Sequence, residues 1–339
     1  MTNHGHQYVQ RTYVHGGHTY AYAYRESVWH DHPYYVYAPA HYYHSGFYGW
    51  ACDPWPSHVY YHWGWYGSPW VGYYGGYFAP EAYYPSAAFW LTDYLLAANL
   101  QLAYAASQAA YAPPPVYAPE APAPDYYQQP AAPGYDQAPP ATQPAEPEPT
   151  PAPSSGPVRL SPEVKQAIAA QVEADLKAQR EAASYPDQPP PDASSVALPV
   201  LDPTISVFVV ADSLTVPTPD GQECELTAGD VLGRLDDTPG DDNAIGVRVT
   251  ASKQGDCPVS AKPRVQVADL QEMHNRFREQ IDNGLRSLAA GGEGLPQAPD
   301  AGVTQGEVPP PQPDDRAAAA VQDLQGQGDQ TEREISQGR

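Results

Sequence analysis

The chain has 339 residues, with 17 Lys or Arg against 40 Asp or Glu, a formal charge of −23. That acidic balance excludes a nucleic-acid partner, which needs a basic surface to neutralise phosphates. Its 41 prolines exclude one continuous core of the kind a large metabolic enzyme needs, because proline removes backbone donors and interrupts helices and sheets.

Residues 1–86 read as an aromatic arm. Residues 1–90 hold all 7 Trp, 19 of the 27 Tyr and 10 of the 11 His. Tyr20, Tyr22 and Tyr24 alternate with alanine, a strand-like period. Gly64-Trp65-Tyr66-Gly67 and Tyr73-Tyr74-Gly75-Gly76-Tyr77-Phe78 set flat rings on flexible backbone. Such rings stack on sugars, on apolar surfaces or on one another. Lacking aliphatic neighbours, the arm is expected to form no conventional core and to act as a low-complexity, adhesive or self-associating segment. The histidines fall into five close pairs: His4/His6, His15/His18, His30/His32, His41/His44 and His58/His62. Imidazoles at such spacings suit Zn, Cu or Ni. The pairing is what their density alone produces, so it supports weak divalent-metal binding that fades below about pH 6.

An apolar helix is predicted over 87–110, carrying Phe89, Trp90, Leu91, Leu95, Leu96, Leu100 and Leu102. Asp93, Asn99 and Gln101 scatter around it, which favours a helix packed under the aromatic segment over a spanning one; peripheral membrane contact through 87–106 is the alternative. Residues 111–160 are a Pro/Ala linker with 16 prolines between 112 and 157, expected to be an extended, polyproline-like spacer. An amphipathic helix over 161–184 follows. Ser161 caps it, Pro162 takes the first helical position and Glu163 suits the dipole. Its stripe of Val164, Ile168, Val172 and Leu176 packs on a folded domain or pairs with a second copy. A second linker covers 185–202.

Residues 203–292 read as the folded domain. Six short strands are expected, around 205–210, 214–216, 224–226, 231–232, 245–249 and 265–267, with turns at Pro219-Asp220-Gly221 and Ala228-Gly229-Asp230. Their number and length favour a small SH3-like barrel; the Gly229-Asp230 turn also suits a PDZ-like one. A helix follows, with Asp269 and Glu272 as a capping box and Leu270, Met273, Phe277, Ile281, Leu285 and Leu288 on one face. That face covers the open end of the barrel or makes a dimer seam through 270–288. Gly291-Gly292 stops the helix. Residues 293–339 form an acidic, Gln-rich tail expected to be disordered.

Cys224 and Cys257 lie in this domain, and a disulfide between them would close a loop of about 33 residues, stabilising it by roughly 3–4 kcal/mol. No zinc spacing competes for them. Cys52 is left over. A disulfide implies an oxidising compartment, hence a periplasmic, cell-surface or secreted protein. Met1-Thr2-Asn3-His4 begins no apolar run, so export implies a leader upstream of the given start.

The sequence has no P-loop, GxGxxG, HExxH or GxSxG. The acidic loop Asp236–Asn243 lacks EF-hand spacing and reads as a hairpin loop. His274, the one histidine outside the arm, is expected on the surface of its helix, so a catalytic triad has no base.

Two blocks carry a resemblance. One runs from Trp63-Gly64-Trp65 through Tyr84-Pro85-Ser86 to Phe89-Trp90-Leu91-Thr92-Asp93-Tyr94-Leu95. The other runs from Asp220-Gly221-Gln222-Glu223-Cys224 through Gly229-Asp230-Val231 to Asp269-Leu270-Gln271-Glu272-Met273-His274-Asn275. Together, over about half the chain, they resemble a group of uncharacterised exported bacterial proteins with an aromatic N-terminal arm and a C-terminal SH3-like domain. The resemblance implies export and brings no activity and no site residues. The expected protein is therefore mostly low-complexity, with one small all-β domain, its C-terminal α-helix, and isolated helices near 87–108 and 162–184. Its expected role is non-enzymatic and extracytoplasmic. An SH3-like module would be tethered to the aromatic arm, with a cell-envelope component or a second copy as partner. The alternative is a His-rich metal-binding protein of the envelope.

Overall fold

The computed structural model describes residues 2–3, 6–15, 18–111, 159–184, 198–219, 221–253, 257–291, 294–306 and 308. The Pro/Ala linker and most of the second linker and the tail lie outside them. In chain order the elements are β1 (Thr2–Asn3), β2 (His6–His15), β3 (His18–Trp29), β4 (His32–Ala38), β5 (His41–Tyr42), α1 (Ser45–Cys52), β6 (Val59–Tyr60), α2 (Pro69–Tyr74), β7 (Tyr83–Tyr84), α3 (Ala87–Tyr111) and α4 (Pro162–Ala183). They continue with β8 (Val207–Val209), β9 (Leu214–Pro217), β10 (Glu223–Leu226), β11 (Val231–Arg234), β12 (Ala244–Ala251), β13 (Arg264–Gln266), α5 (Val267–Ala289) and β14 (Thr304–Gln305).

The first four strands form an antiparallel meander in sequence order. The turn between β3 and β4 places His30 (φ 49) and Asp31 (φ 63) in the left-handed region, as a two-residue hairpin requires. All six strands expected between 203 and 267 are present. They pair as a four-stranded sheet, β13-β12-β11-β8, and a β9–β10 hairpin; no closed barrel forms among the described residues. Cys224, in β10, is bonded to Cys257 after β12, and both are buried.

The helix caps follow local chemistry in one case and tertiary contact in the other. Ser161 Oγ accepts from Val164 N (3.3 Å) at the start of α4. α5 starts earlier than its expected capping box, with Gln266 as cap and no side-chain cap bond. The orphan Val267 N donates instead to Asn243 O (2.9 Å), which leaves Asp269 inside the first turn.

Two cores meet on α5. Leu270 and Met273 pack with Phe208, Val216, Leu232, Val249 and other strand residues. Phe277, Ile281, Leu285 and Leu288 pack with the rings of Phe47, Tyr48, Trp63, Trp70, Tyr77 and Trp90, joined by Leu91, Leu95, Leu96 and Leu100 of α3 and Ile168, Val172 and Leu176 of α4. This corrects four expectations. The aromatic segment does have a core: α3 packs under it as its polar residues led one to expect, and α4 and α5, distant in sequence, supply the remaining aliphatic side chains. The two helices are not isolated but packed on each other. The face expected as a dimer seam through 270–288 is covered by the chain itself, and of the α3 leucines offered for membrane contact Leu91, Leu95, Leu96 and Leu100 are buried in that core while Leu102 lines an open cleft. The Pro/Ala tract lies outside the described residues; the helices on either side of it, α3 and α4, pack within one core. Part of the tail is also placed: β14 pairs with β5, and Val308 is buried beside Tyr8 and Ala38.

At Gly284, α5 lies directly against α3. A Cβ there would lie 2.4 Å from Leu91 Cδ2 and 3.2 Å from Tyr94 Cδ1. Gly284→Val is expected to cost about 1–3 kcal/mol by overpacking, with partial recovery in the Gly284→Val/Leu91→Ala double variant; urea unfolding of the set measures both. Replacing Cys224 and Cys257 by Ala is expected to lower stability by roughly 3–4 kcal/mol through the lost cross-link, read by the same assay.

Candidate functional site

The histidine pairs do not converge. His4 lies outside the described residues. His6 lies in β2, and His15 stands opposite His18 in the β2–β3 register. His30 stacks on Trp29 at 3.9 Å, with Nδ1 3.1 Å from Asn243 Oδ1. His32 closes that hairpin opposite Trp29, and His41 pairs with Gln305. The His44 ring accepts from Gly46 N (3.2 Å) as the cap of α1. His58 is exposed, and His62 stacks on Tyr66. Among the described residues no three His, Cys, Asp or Glu side chains are grouped so as to hold a metal ion. Cys52 is free and half-buried; burial raises its thiol pKa. The acidic loop is tied down by Arg264, which reaches Asp242 at 2.7 Å and Asp236 at 3.5 Å.

What the fold does assemble is a set of buried tyrosine–carboxylate pairs. Tyr24 donates to Glu279, Tyr37 to Asp282 (2.5 Å) and Tyr84 to Asp93 (2.7 Å). Burial raises the pKa of all three carboxyls, opposed by Arg276 at Glu279, by the Tyr37 bond and Arg278 at Asp282, and by Lys165 at Asp93. The first two pairs bind the N-terminal meander to α5. Asn275 adds to that seam by accepting from Tyr37 N (3.0 Å) and donating to Tyr35 O (2.8 Å). His274 is consequently buried at 5% exposure rather than on the surface: α5 has a polar flank as well as an apolar one, and both are covered. Between α4 and α5, Asp175 Oδ2, Gln179 Nε2 and Arg278 Nε are buried without a hydrogen-bond partner among the described residues.

The rings form a second assembly. His62, Tyr66, Trp65, Trp63, Trp90 and Tyr94 stack in that order, with successive centroids 5.9, 6.1, 5.1, 5.1 and 5.3 Å apart. One end is at the surface. The other reaches an open cleft of about 500 Å³ between α3 and α5, lined by Tyr94, Gln101, Leu102, Gln280, Asn283 and Arg286 among others. Tyr66 in the stack, and Tyr60, Tyr73 and Tyr83 outside it, are each 56–60% exposed, and Tyr60 and Tyr83 face each other across the β6–β7 pair at 5.6 Å. The Trp63–Tyr66 motif is visible as rings in sequence; its continuation into Trp90 and Tyr94 depends on where α3 docks. None of the helices described is long and apolar enough to cross a membrane. Comparison with protein-family models, with curated proteins and with solved structures finds no match to the chain.

Two buried groups make stability depend on pH in opposite directions. Burial, with Arg278 adding, pushes the His274 pKa down to about 3. The unfolded chain protonates this residue near pH 6.5, so its contribution is complete above that pH and is lost on acidification. Burial, aided by Asp282 and opposed by Arg278, pushes Asp175 up to about 6. The folded chain therefore takes up a proton between about pH 6 and 4 that the unfolded chain does not, and stability rises as pH falls through that window. Each slope is at most about 1.4 kcal/mol per pH unit. Relative to the wild type, His274→Gln is expected to lose the destabilising slope between pH 7 and 5, and Asp175→Asn the stabilising one. Urea titrations at both pH values test the pair.

Proposed function

We propose that the protein is a non-enzymatic interaction protein of an oxidising, extracytoplasmic compartment, and that its exposed tyrosines are its contact surface. The observation that carries this reading is the exposure of Tyr60, Tyr66, Tyr73 and Tyr83 on a backbone anchored by a ring-filled core. Rigid aromatic side chains give large contact area at low entropic cost and dominate binding surfaces. The Cys224–Cys257 disulfide supports the compartment. The six-stranded unit is read as an SH3-like module, opened into two sheets and serving as the scaffold that holds α5. In this reading the partner is a cell-envelope component or a second copy of the chain.

The test uses the full chain, with co-sedimentation on isolated peptidoglycan sacculi and sedimentation velocity for self-association. A Tyr60→Ala/Tyr66→Ala/Tyr83→Ala variant is expected to keep its unfolding midpoint and to bind at least about tenfold more weakly in whichever assay the wild type is positive. Equal binding by the variant, or a wild type inert in both assays, overturns the reading.

A further inference from the structure

Tyr84 sits at a junction in the core. Its ring is fully buried. Its hydroxyl accepts from Trp63 Nε1–H (2.8 Å) and donates to Asp93 Oδ2 (2.7 Å). Asp93 Oδ1 pairs with Lys165 Nζ at 2.9 Å, and Lys165 has a second carboxylate, Glu81, at 3.2 Å. Trp63 belongs to the stack that reaches the surface through Trp65 and Tyr66. Indole and phenol are the side chains that give up a single electron most readily after thiols. A phenol does so easily only when a base is positioned to take its proton. The stack supplies electronic contact, and the Tyr84–Asp93 bond supplies the base.

We infer that the stacked rings are a path along which one-electron oxidising equivalents enter the protein at the partly exposed Trp65, beside the exposed Tyr66, and are trapped at Tyr84. The oxidant belongs to the class of one-electron acceptors such as peroxyl or carbonate radicals. It takes one electron from Trp65 and is itself reduced by one. Trp65 is restored by an electron from Trp63. Tyr84 then gives one electron to the Trp63 radical cation and its phenolic proton to Asp93. The products are resting Trp63, a neutral Tyr84 phenoxyl radical and a protonated Asp93, and no bond between heavy atoms forms or breaks. Glu81 remains as counter-charge for Lys165 once Asp93 is neutral. Burial raises the pKa of Tyr84, with Asp93 reinforcing the shift, so the phenol keeps its proton until oxidation. An exposed phenoxyl radical couples with another to form dityrosine; a radical on a fully buried ring cannot meet a partner. The arrangement would make the core a sink that protects exposed tyrosines from cross-linking.

The test is flash-quench oxidation of the full chain with photogenerated ruthenium(III) tris-bipyridine, followed by freeze-quench EPR and by dityrosine fluorescence. The wild type is expected to give a long-lived tyrosyl signal. Tyr84→Phe should lose that signal and form more dityrosine, and Asp93→Asn should slow its formation by about a hundredfold, as expected for removal of a positioned base. Trp63→Phe leaves the Tyr84–Asp93 pair in place and should also slow it. A long-lived signal unchanged in Tyr84→Phe overturns the inference. If that variant does not fold, an unchanged rate in Trp63→Phe does so.

Discussion

The hydroxyl of a buried tyrosine is the constraint around which this structure is organised. The chain carries 27 Tyr against 5 Phe and buries Tyr24, Tyr37, Tyr48, Tyr77 and Tyr84 among others, and a buried hydroxyl without a partner costs about 1–3 kcal/mol. Carboxylates on α3 and α5 accept the hydrogen bonds of Tyr24, Tyr37 and Tyr84, and each then needs relief of its own. Lys165 pairs with Asp93 and Arg276 with Glu279, while Arg278 lowers the energy of Asp175 and Asp282. The interior is thus a set of ring–acid–base relays set among packed rings. Losing one member strands the next, which is more destabilising than removing the whole relay.

α5 links the two halves because it is covered on more than one side. Its apolar stripe closes the strand unit with its first turns and the aromatic core with its last. Its polar flank receives the N-terminal meander through Arg11–Glu272, Tyr24–Glu279 and Tyr37–Asp282. The strand unit is held to the ring core as well, since Tyr77 donates to Gly229 O (2.7 Å) in the turn that presses against Leu100.

What was legible in the sequence is what local chemistry decides. The Ser161 cap, the helix stripe of α4, the six short strands and the cysteine pair all depend on neighbours or on the absence of competitors. The aromatic core was legible only as far as α3, expected beneath the rings; the aliphatic side chains that α4 and α5 bring to it come from far along the chain. Tyr24 and Glu279 are 255 residues apart, and nothing in either neighbourhood marks the other. His274 was misread for a related reason: hydrophobic periodicity identifies an apolar face and treats every other face as solvated, so it cannot register a polar flank buried under tyrosines. The excess of Tyr over Phe was the available clue, since so many hydroxyls in an interior require acceptors.

The join between α3 and α4 has a consequence for covalent integrity. Residues 112–158 connect two helices of one core, and the disulfide lies wholly on the C-terminal side. A single nick in that stretch would leave two fragments with no bond between them, held by the meander on α5 and by α3 against α4. The two pieces are complementary halves of one interior, so each would expose its rings or leucines when alone and bury them again on reassociation.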